Sequence, residues 1–391
     1  MTDTTWTNGG GDGLASNPAN WSNGIDVGYN HIFDGTSVDN CTFDLDIELG
    51  TLTIAAGYTG IVLQSSDMHI SAFLQQGGVF TGNVLKWVYC SSDFTVSAGT
   101  FAVEKSNIEL TGIGKSLSAA IRPYQLIISG SYTISAAKEI YFPNGGVIKV
   151  SGSLVLGHAS ATIVLLPDAT NVRESQNSIN GCITGIGYIE IFTQSDNKAI
   201  CGDYHGVAVN VKIDLRSGAN GNKTITMGRA QSFMGPVNLW SAHATYILTV
   251  NSNGYSIAAS TITTGVRGIL INSATTDSTV TVKSFDSSAG TFTPDRTVLV
   301  MEGASTLKLA AGGSVDNLIS KGVTTLASDV IVANVCAHVN PISKGAFALT
   351  LTKPENEYTG LRRPIVRTVK RLDIGTVGLA DAWLQCIGGI L

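Results

Sequence analysis

The sequence predicts an all-β chain folded as a right-handed parallel β-helix, a β-solenoid with capped ends, and three observations carry that prediction. Charged residues make up only 14% of the 391, where about a quarter is usual, and Gly rises to 44. Short segments alternate apolar and polar residues between Gly, Asn and Ser, the pattern of half-buried strands, and helical periodicity is almost absent. The Gly-led phrase also returns at solenoid spacing: Gly78 to Gly99 is 21 residues, and Gly130 to Gly152 and Gly290 to Gly312 are each 22.

The elements follow in chain order. Residues 1–38 read as an N-terminal cap, a Gly- and Asn-rich stretch whose Trp6 and Trp21 are expected to cover the first coil. An uncovered solenoid end leaves strand edges unpaired, so a lid is required. Residues 39–352 read as the parallel β-helix itself, in phrases such as Gly50-Thr51-Leu52-Thr53-Ile54 and Gly130-Ser131-Tyr132-Thr133-Ile134. At a period near 20 this gives about 14 coils, each of three short strands that bury their inward side chains only when stacked. The 31 residues from Gly99 to Gly130 are expected to be one coil with a loop inserted at a corner. Corner glycines and asparagines, such as Asn144-Gly145-Gly146 and Asn220-Gly221-Asn222, are expected at positive φ. Residues 353–391 read as a C-terminal cap and assembly segment.

Composition narrows the function classes. A formal net charge of −5 provides no general attraction to nucleic acid, so no nucleic-acid partner is expected. No run approaches the length of a membrane span. The first residues, Met1 to Trp6, carry neither basic residues nor an apolar stretch, so no secretory leader is read there. Cys41, Cys90, Cys182, Cys201, Cys336 and Cys386 lie far apart with no zinc-ligand spacing, and are expected to be small buried apolar residues. No cofactor is expected. The Gly112-Ile113-Gly114-Lys115-Ser116 stretch lacks the spacing of a phosphate loop, and no Gly-x-Ser-x-Gly elbow is present.

Candidate chemistry is thin. Asp44, Asp46 and Glu48 alternate, which predicts three carboxylates on one strand face, suited to calcium or to a cleavage site but equally to a solvated face. Asp203 and His205, with Tyr204 between them and Asp196 shortly before, form an acid–imidazole cluster able to move protons if a groove passes it, or else a polar corner. Trp87, Trp240 and Tyr246 are candidate sugar platforms, with Tyr89 and Tyr255 beside them; on strands such rings serve equally as core. The six histidines, His69 among them, are scattered singly and read as corner or core residues. Arg362, Arg363, Arg367, Lys370 and Arg371 crowd ten residues, and with Trp383 they are candidate assembly contacts toward an acidic neighbour; the other reading is a cap paired with Glu355, Glu357 and Asp373.

Several phrases carry a resemblance. Trp6-Thr7-Asn8-Gly9-Gly10-Gly11-Asp12 through Asn20-Trp21-Ser22-Asn23-Gly24, the coil Phe94 to Phe101 followed by Ser106 to Gly112, and Tyr358 to Pro364 ahead of Asp373-Ile374-Gly375 resemble bacterial and phage parallel β-helix surface proteins, both autotransporter-adhesin-like and phage tail-spike-like. The closing phrase departs from that pattern at Thr376, where Ala is usual. That group mixes adhesins, lyases, hydrolases and structural parts; low acid content, the absence of a clear acid pair, and an external-looking composition without a leader point within it to a non-enzymatic virion surface or structural protein: a tail-spike or receptor-binding fibre, or a capsid decoration. Such a protein would assemble in the host cytoplasm, as a homotrimer beside other virion proteins, with a host surface glycan as a further partner. Two alternatives share the scaffold, a polysaccharide-degrading depolymerase and a bacterial adhesin passenger domain.

Overall fold

A computed structural model describes residues 2–101, 106–142, 146–166, 176–193, 198–216, 218–354 and 357–359. Over these the chain is a parallel β-solenoid of about 14 turns, and the described residues contain no α-helix; a 3-10 turn forms at Pro18–Asn20. Contacts divide it into two compact units: residues 1–192 with 198–212, and residues 193–197 with 213–391.

In the first unit a turn presents two or three strands. One turn runs through Trp87–Cys90, Phe94–Val96 and Thr100–Phe101; another runs through Val147–Val150, Ser153–Leu156 and Thr162–Leu165. Alternation decides what each strand buries: in Ser131–Ile134, Tyr132 and Ile134 are fully buried while Ser131 and Thr133 face outward. In-register parallel pairing then lays like on like. Ile108 lies against Leu126 and Leu126 against Ile148, and the Phe73 and Phe94 rings stack at 4.8 Å. Each fully buried side chain of this kind contributes about 1.5–3 kcal/mol, and stacking makes the contribution continuous from turn to turn.

The parallel ladder begins within 1–38, ahead of the expected boundary at 39, because Asp3–Thr5 pairs with Asn30–Phe33. Trp6 and Trp21 lie edge to face, 5.2 Å between centroids, and both pack on Phe33. Burying two indoles requires partners for their N–H groups. Trp6 Nε1 donates to Asp39 O at 3.2 Å and Trp21 Nε1 to Ala15 O at 2.8 Å.

Some glycines between strands, such as Gly78 and Gly99, have the expected positive φ, Asn144 and Gly145 lie outside the described residues, and another set of corner glycines is required for a different reason. A Cβ on Gly130 would sit 2.0 Å from the Gly112 carbonyl oxygen, one on Gly152 1.9 Å from that of Gly130, one on Gly181 2.0 Å from that of Gly152, and one on Gly206 1.9 Å from that of Gly181. This ladder is built from close approach of successive backbones. None of its members is among the glycines at positive φ. Gly99 belongs to another corner, over the Gly77 carbonyl, so the interval from Gly99 to Gly130 is not one coil with an insertion: it joins two different corners. Turn lengths themselves vary, since Asn107 pairs with Gln125, eighteen residues on, while Leu154 pairs with Ile183, twenty-nine on.

Buried polar groups tie the turns together. The Tyr132 hydroxyl accepts from Gly112 N and lies 2.9 Å from Ser92 O and 3.1 Å from Cys90 O as donor. Gln64 Nε2 donates to Trp87 O at 2.9 Å. Cys41, Cys90 and Cys336 are buried free thiols, the last two with acidity pushed up to about 11 by burial. Cys182 and Cys201 form no disulfide but are only half-buried, a departure from expectation, and Cys386 lies outside the described residues.

In the second unit one sheet uses longer strands that span two faces without a break: Ile257–Thr264, Ser278–Asp286, Thr297–Lys308 and Val330–His338. A second sheet stacks Lys223–Met227, Leu248–Asn251, Gly268–Ile271 and Thr291–Thr293 in parallel. The 353–391 segment is described only at Lys353, Pro354 and Glu357–Thr359, the last pairing with Cys336 to His338. No helix among the described residues is long and apolar enough to cross a membrane.

Candidate functional site

The first unit carries a groove of about 370 Å³ on an outer face, lined by Glu48, Leu49, His69, Ile70, Ser71, Tyr89, Ser91 and Thr111. Its walls follow from strand alternation and register. In Met68–Gln75 and Trp87–Cys90, residues Met68, Ile70, Val88 and Cys90 turn inward, so His69, Ser71, Trp87 and Tyr89 turn outward. Register then aligns one row across turns, Glu48 with His69, His69 with Tyr89, and Tyr89 with Glu109. A second row of hydroxyls, Ser71, Ser91 and Thr111, runs beside it. Their backbones are fixed by ladder hydrogen bonds, Ser91 N to Ile70 O and Thr111 N to Cys90 O.

The first row is aromatic at its centre. His69 and Tyr89 stack at 4.6 Å with planes 9° apart, and Trp87 lies against Tyr89 at 6.0 Å and 24°. Trp87 is held at both ends of its peptide unit: its N–H donates to Asp67 Oδ1 at 2.9 Å, and its carbonyl accepts from the buried Gln64 amide. Carboxylates surround the rings. Asp46 Oδ1 is 3.6 Å from His69 Nε2, and Glu109 Oε1 accepts from Ser129 Oγ at 3.2 Å. Partial burial raises the Tyr89 phenol's pKa, and the fields of Asp67, Glu109 and Asp46 add to that rise, so the phenol stays neutral and able to donate. Flat ring surface beside a row of hydroxyl donors and acceptors is the chemistry that holds a sugar, whose C–H face is apolar and whose rim is polar.

The other sequence candidates are placed elsewhere. Trp240 is 47% exposed on the strand Val237–Ser241, and Tyr246 occupies a corner with its ring stacked on His243 at 4.3 Å. Both belong to the second unit, and Trp87 to the first. Asp44, Asp46 and Glu48 do not share a strand face: Asp44 and Asp46 fall in the corner after Cys41–Phe43, and only Glu48 is on a strand. The corner breaks the period-2 alternation that the spacing assumed. Asp44 accepts from Ser16 N at 2.8 Å and Ser16 Oγ at 2.6 Å, whereas Asp46 faces His69. Among the described residues no group of three or more His, Cys, Asp or Glu side chains is close enough to hold a metal ion.

Asp203 and His205 form a turn in which Asp203 Oδ1 accepts from the His205 backbone N–H at 3.2 Å. Tyr204 points the other way, 1% exposed, with its hydroxyl accepting from Asn177 Nδ2 at 3.2 Å. The acid, phenol and imidazole therefore do not share one face. Asp196, and the assembly candidates Arg362, Arg363, Arg367, Lys370, Arg371 and Trp383, lie outside the described residues.

The residues that sequence reasoning missed are His69, taken as a corner or core residue, and the hydroxyls Ser71, Ser91 and Thr111. A signal for them exists. His69, Tyr89 and Glu109 recur at intervals of twenty on the outward phase of their strands, as do Ser71, Ser91 and Thr111, of which Ser91 and Thr111 directly follow a strand end. Compared with known proteins, the chain matches no family model, no curated protein and no solved structure.

Proposed function

We propose that this chain is a non-enzymatic attachment protein that displays a rigid β-solenoid and binds glycan in the groove beside His69, Tyr89 and Trp87. The observation that carries the reading is the pairing of a stacked ring row with a parallel row of hydroxyls, both repeated on successive turns. A stack of turns tolerates variation on its outer faces without loss of its core, which suits a surface whose task is recognition.

Binding is favoured over cleavage by the placement of the two acids within the ring row itself. Glu48 and Glu109 share one row but stand three turns apart, about 14 Å at roughly 4.8 Å per turn. A glycoside-hydrolysing pair needs carboxyls about 5–9.5 Å apart. Incubation with an uncharged capsular polysaccharide tests this directly: binding without new reducing ends is the expected result, and release of reducing ends would move the reading to a depolymerase.

A virion surface is the setting proposed for this activity, with homotrimeric assembly beside other virion proteins. That part of the proposal is supported by the sequence phrases shared with phage and bacterial β-helix surface proteins. Labelling the protein on an imaged particle tests it, and a bacterial cell-surface location would instead favour an adhesin passenger.

A further inference from the structure

The charge around the groove selects among glycans, an inference that rests on the glycan-binding reading and narrows it. Glu48 is in the lining, Asp46 stands 3.6 Å from His69, Asp67 holds the Trp87 backbone, and Glu109 is in register beside Tyr89. The lining contains no Lys or Arg, and its one base, His69, already faces Asp46. Of the basic residues nearby, Lys115 approaches the hydroxyl edge, its side chain against Gly112 beside the Ser91 backbone, one cation against these four carboxylates; the others are set apart. Lys86 lies in the corner turn before Trp87. Lys149 shares the row but stands three turns beyond Tyr89, by way of Glu109 and Ile127, about 14 Å away.

We propose that this groove accepts an extended glycan of uncharged or amine-bearing sugars, laid along the stack of turns, and rejects glycans carrying carboxylate, sulfate or phosphate. The direction of the chain follows from the rows, which offer a hydroxyl and an outward ring or acid once per turn, about 4.8 Å apart, close to the advance of one pyranose unit in an extended chain. Rejection follows from like charge. An anionic group brought within about 5 Å of Glu48 or Glu109 at a half-exposed surface weakens binding roughly tenfold or more.

The test is a printed array of neutral, amine-bearing and acidic oligosaccharides probed with the full chain, followed by titration of the strongest member of each class at low and at 0.5 M salt. Expected is binding to the neutral or amine-bearing classes with acidic members at least tenfold weaker, and a gap that narrows at high salt and in the double variant Glu48→Gln, Glu109→Gln. These isosteric changes, at exposed Glu48 and half-buried Glu109, fall outside the core, and the variant's thermal midpoint is checked against the parent. Acidic glycans bound as tightly as neutral ones, or a gap unmoved by the double variant, would overturn the selection while leaving glycan binding in place. Binding that survives Trp87→Ala unchanged, or no binding to any class, would overturn the glycan reading itself and this inference with it.

Discussion

His69 and Tyr89 stack face to face, 4.6 Å between centroids and 9° from parallel, one on each of two adjacent turns. Their contact is made possible by parallel register, which sets residues twenty apart in sequence side by side on one outer face. Tyr89 is the hinge of the ring row, since it touches both His69 and Trp87. Tyr89→Ala is expected to lower glycan affinity about tenfold, equivalent to about 1.4 kcal/mol, with Tyr89→Phe nearer the parent. Isothermal titration with the best array ligand checks this, and an unchanged affinity in Tyr89→Ala would remove the ring row from the site.

The glycine ladder makes a sharp stability prediction. Gly130→Ala and Gly152→Ala place a methyl group about 2 Å from a backbone oxygen of the neighbouring turn, which no side-chain movement relieves, so each is expected to cost about 3 kcal/mol or more. Gly114→Ala is the control: that residue has φ +65° but nothing within 4 Å of the added atom, so only backbone strain of about 1 kcal/mol applies. Denaturant melts of the three variants decide between close approach and positive φ as the reason for glycine at this corner.

Burial of His31 predicts acid sensitivity at the N-terminal end. Its ring lies against Trp21 and Phe43, its Nδ1 is 3.0 Å from Tyr29 O, and its Nε2 is buried with no hydrogen-bond partner. Loss of hydration disfavours the charged form, so the folded-state pKa falls below the ordinary imidazole value of about 6.5. The unfolded chain therefore binds the proton more readily. Stability from this group is full above pH 6.5 and is lost progressively as the pH falls from there to the depressed folded value. Thermal midpoints from pH 8 to pH 5 are expected to fall less in His31→Leu than in the parent; parallel curves would count against the burial argument.

Tyr132→Phe isolates one buried hydroxyl. Removing it leaves the Gly112 N–H without its acceptor and the Cys90 and Ser92 carbonyls without this donor, in a position where the Tyr132 side chain is fully buried. A loss of about 1–3 kcal/mol is expected. A change below about 0.5 kcal/mol in chemical denaturation would show that the hydroxyl is dispensable to the stack.

By itself the sequence determined the repeating unit. Period-2 alternation selects the inward set, such as Tyr132 and Ile134 or Leu154 and Leu156, because neighbouring side chains on a strand must take opposite faces. Glycine-led spacing near twenty exposes the turn, and the two early tryptophans point to the covered end. Trp87 was also legible as an outward ring.

Only the tertiary structure decided which turns meet at which residue. Corners absorb anything from seventeen to twenty-nine residues per turn, so a constant offset in sequence does not translate into a constant neighbour in space. That is why Gly99 and Gly130 proved to stand at different corners, why Asp44 turns to Ser16 while Asp46 turns to His69, and why His69 became part of a ring row. Alternation is local and is written in the residues of one strand; register is set by the backbone hydrogen bonds between turns, and it alone places outward side chains side by side.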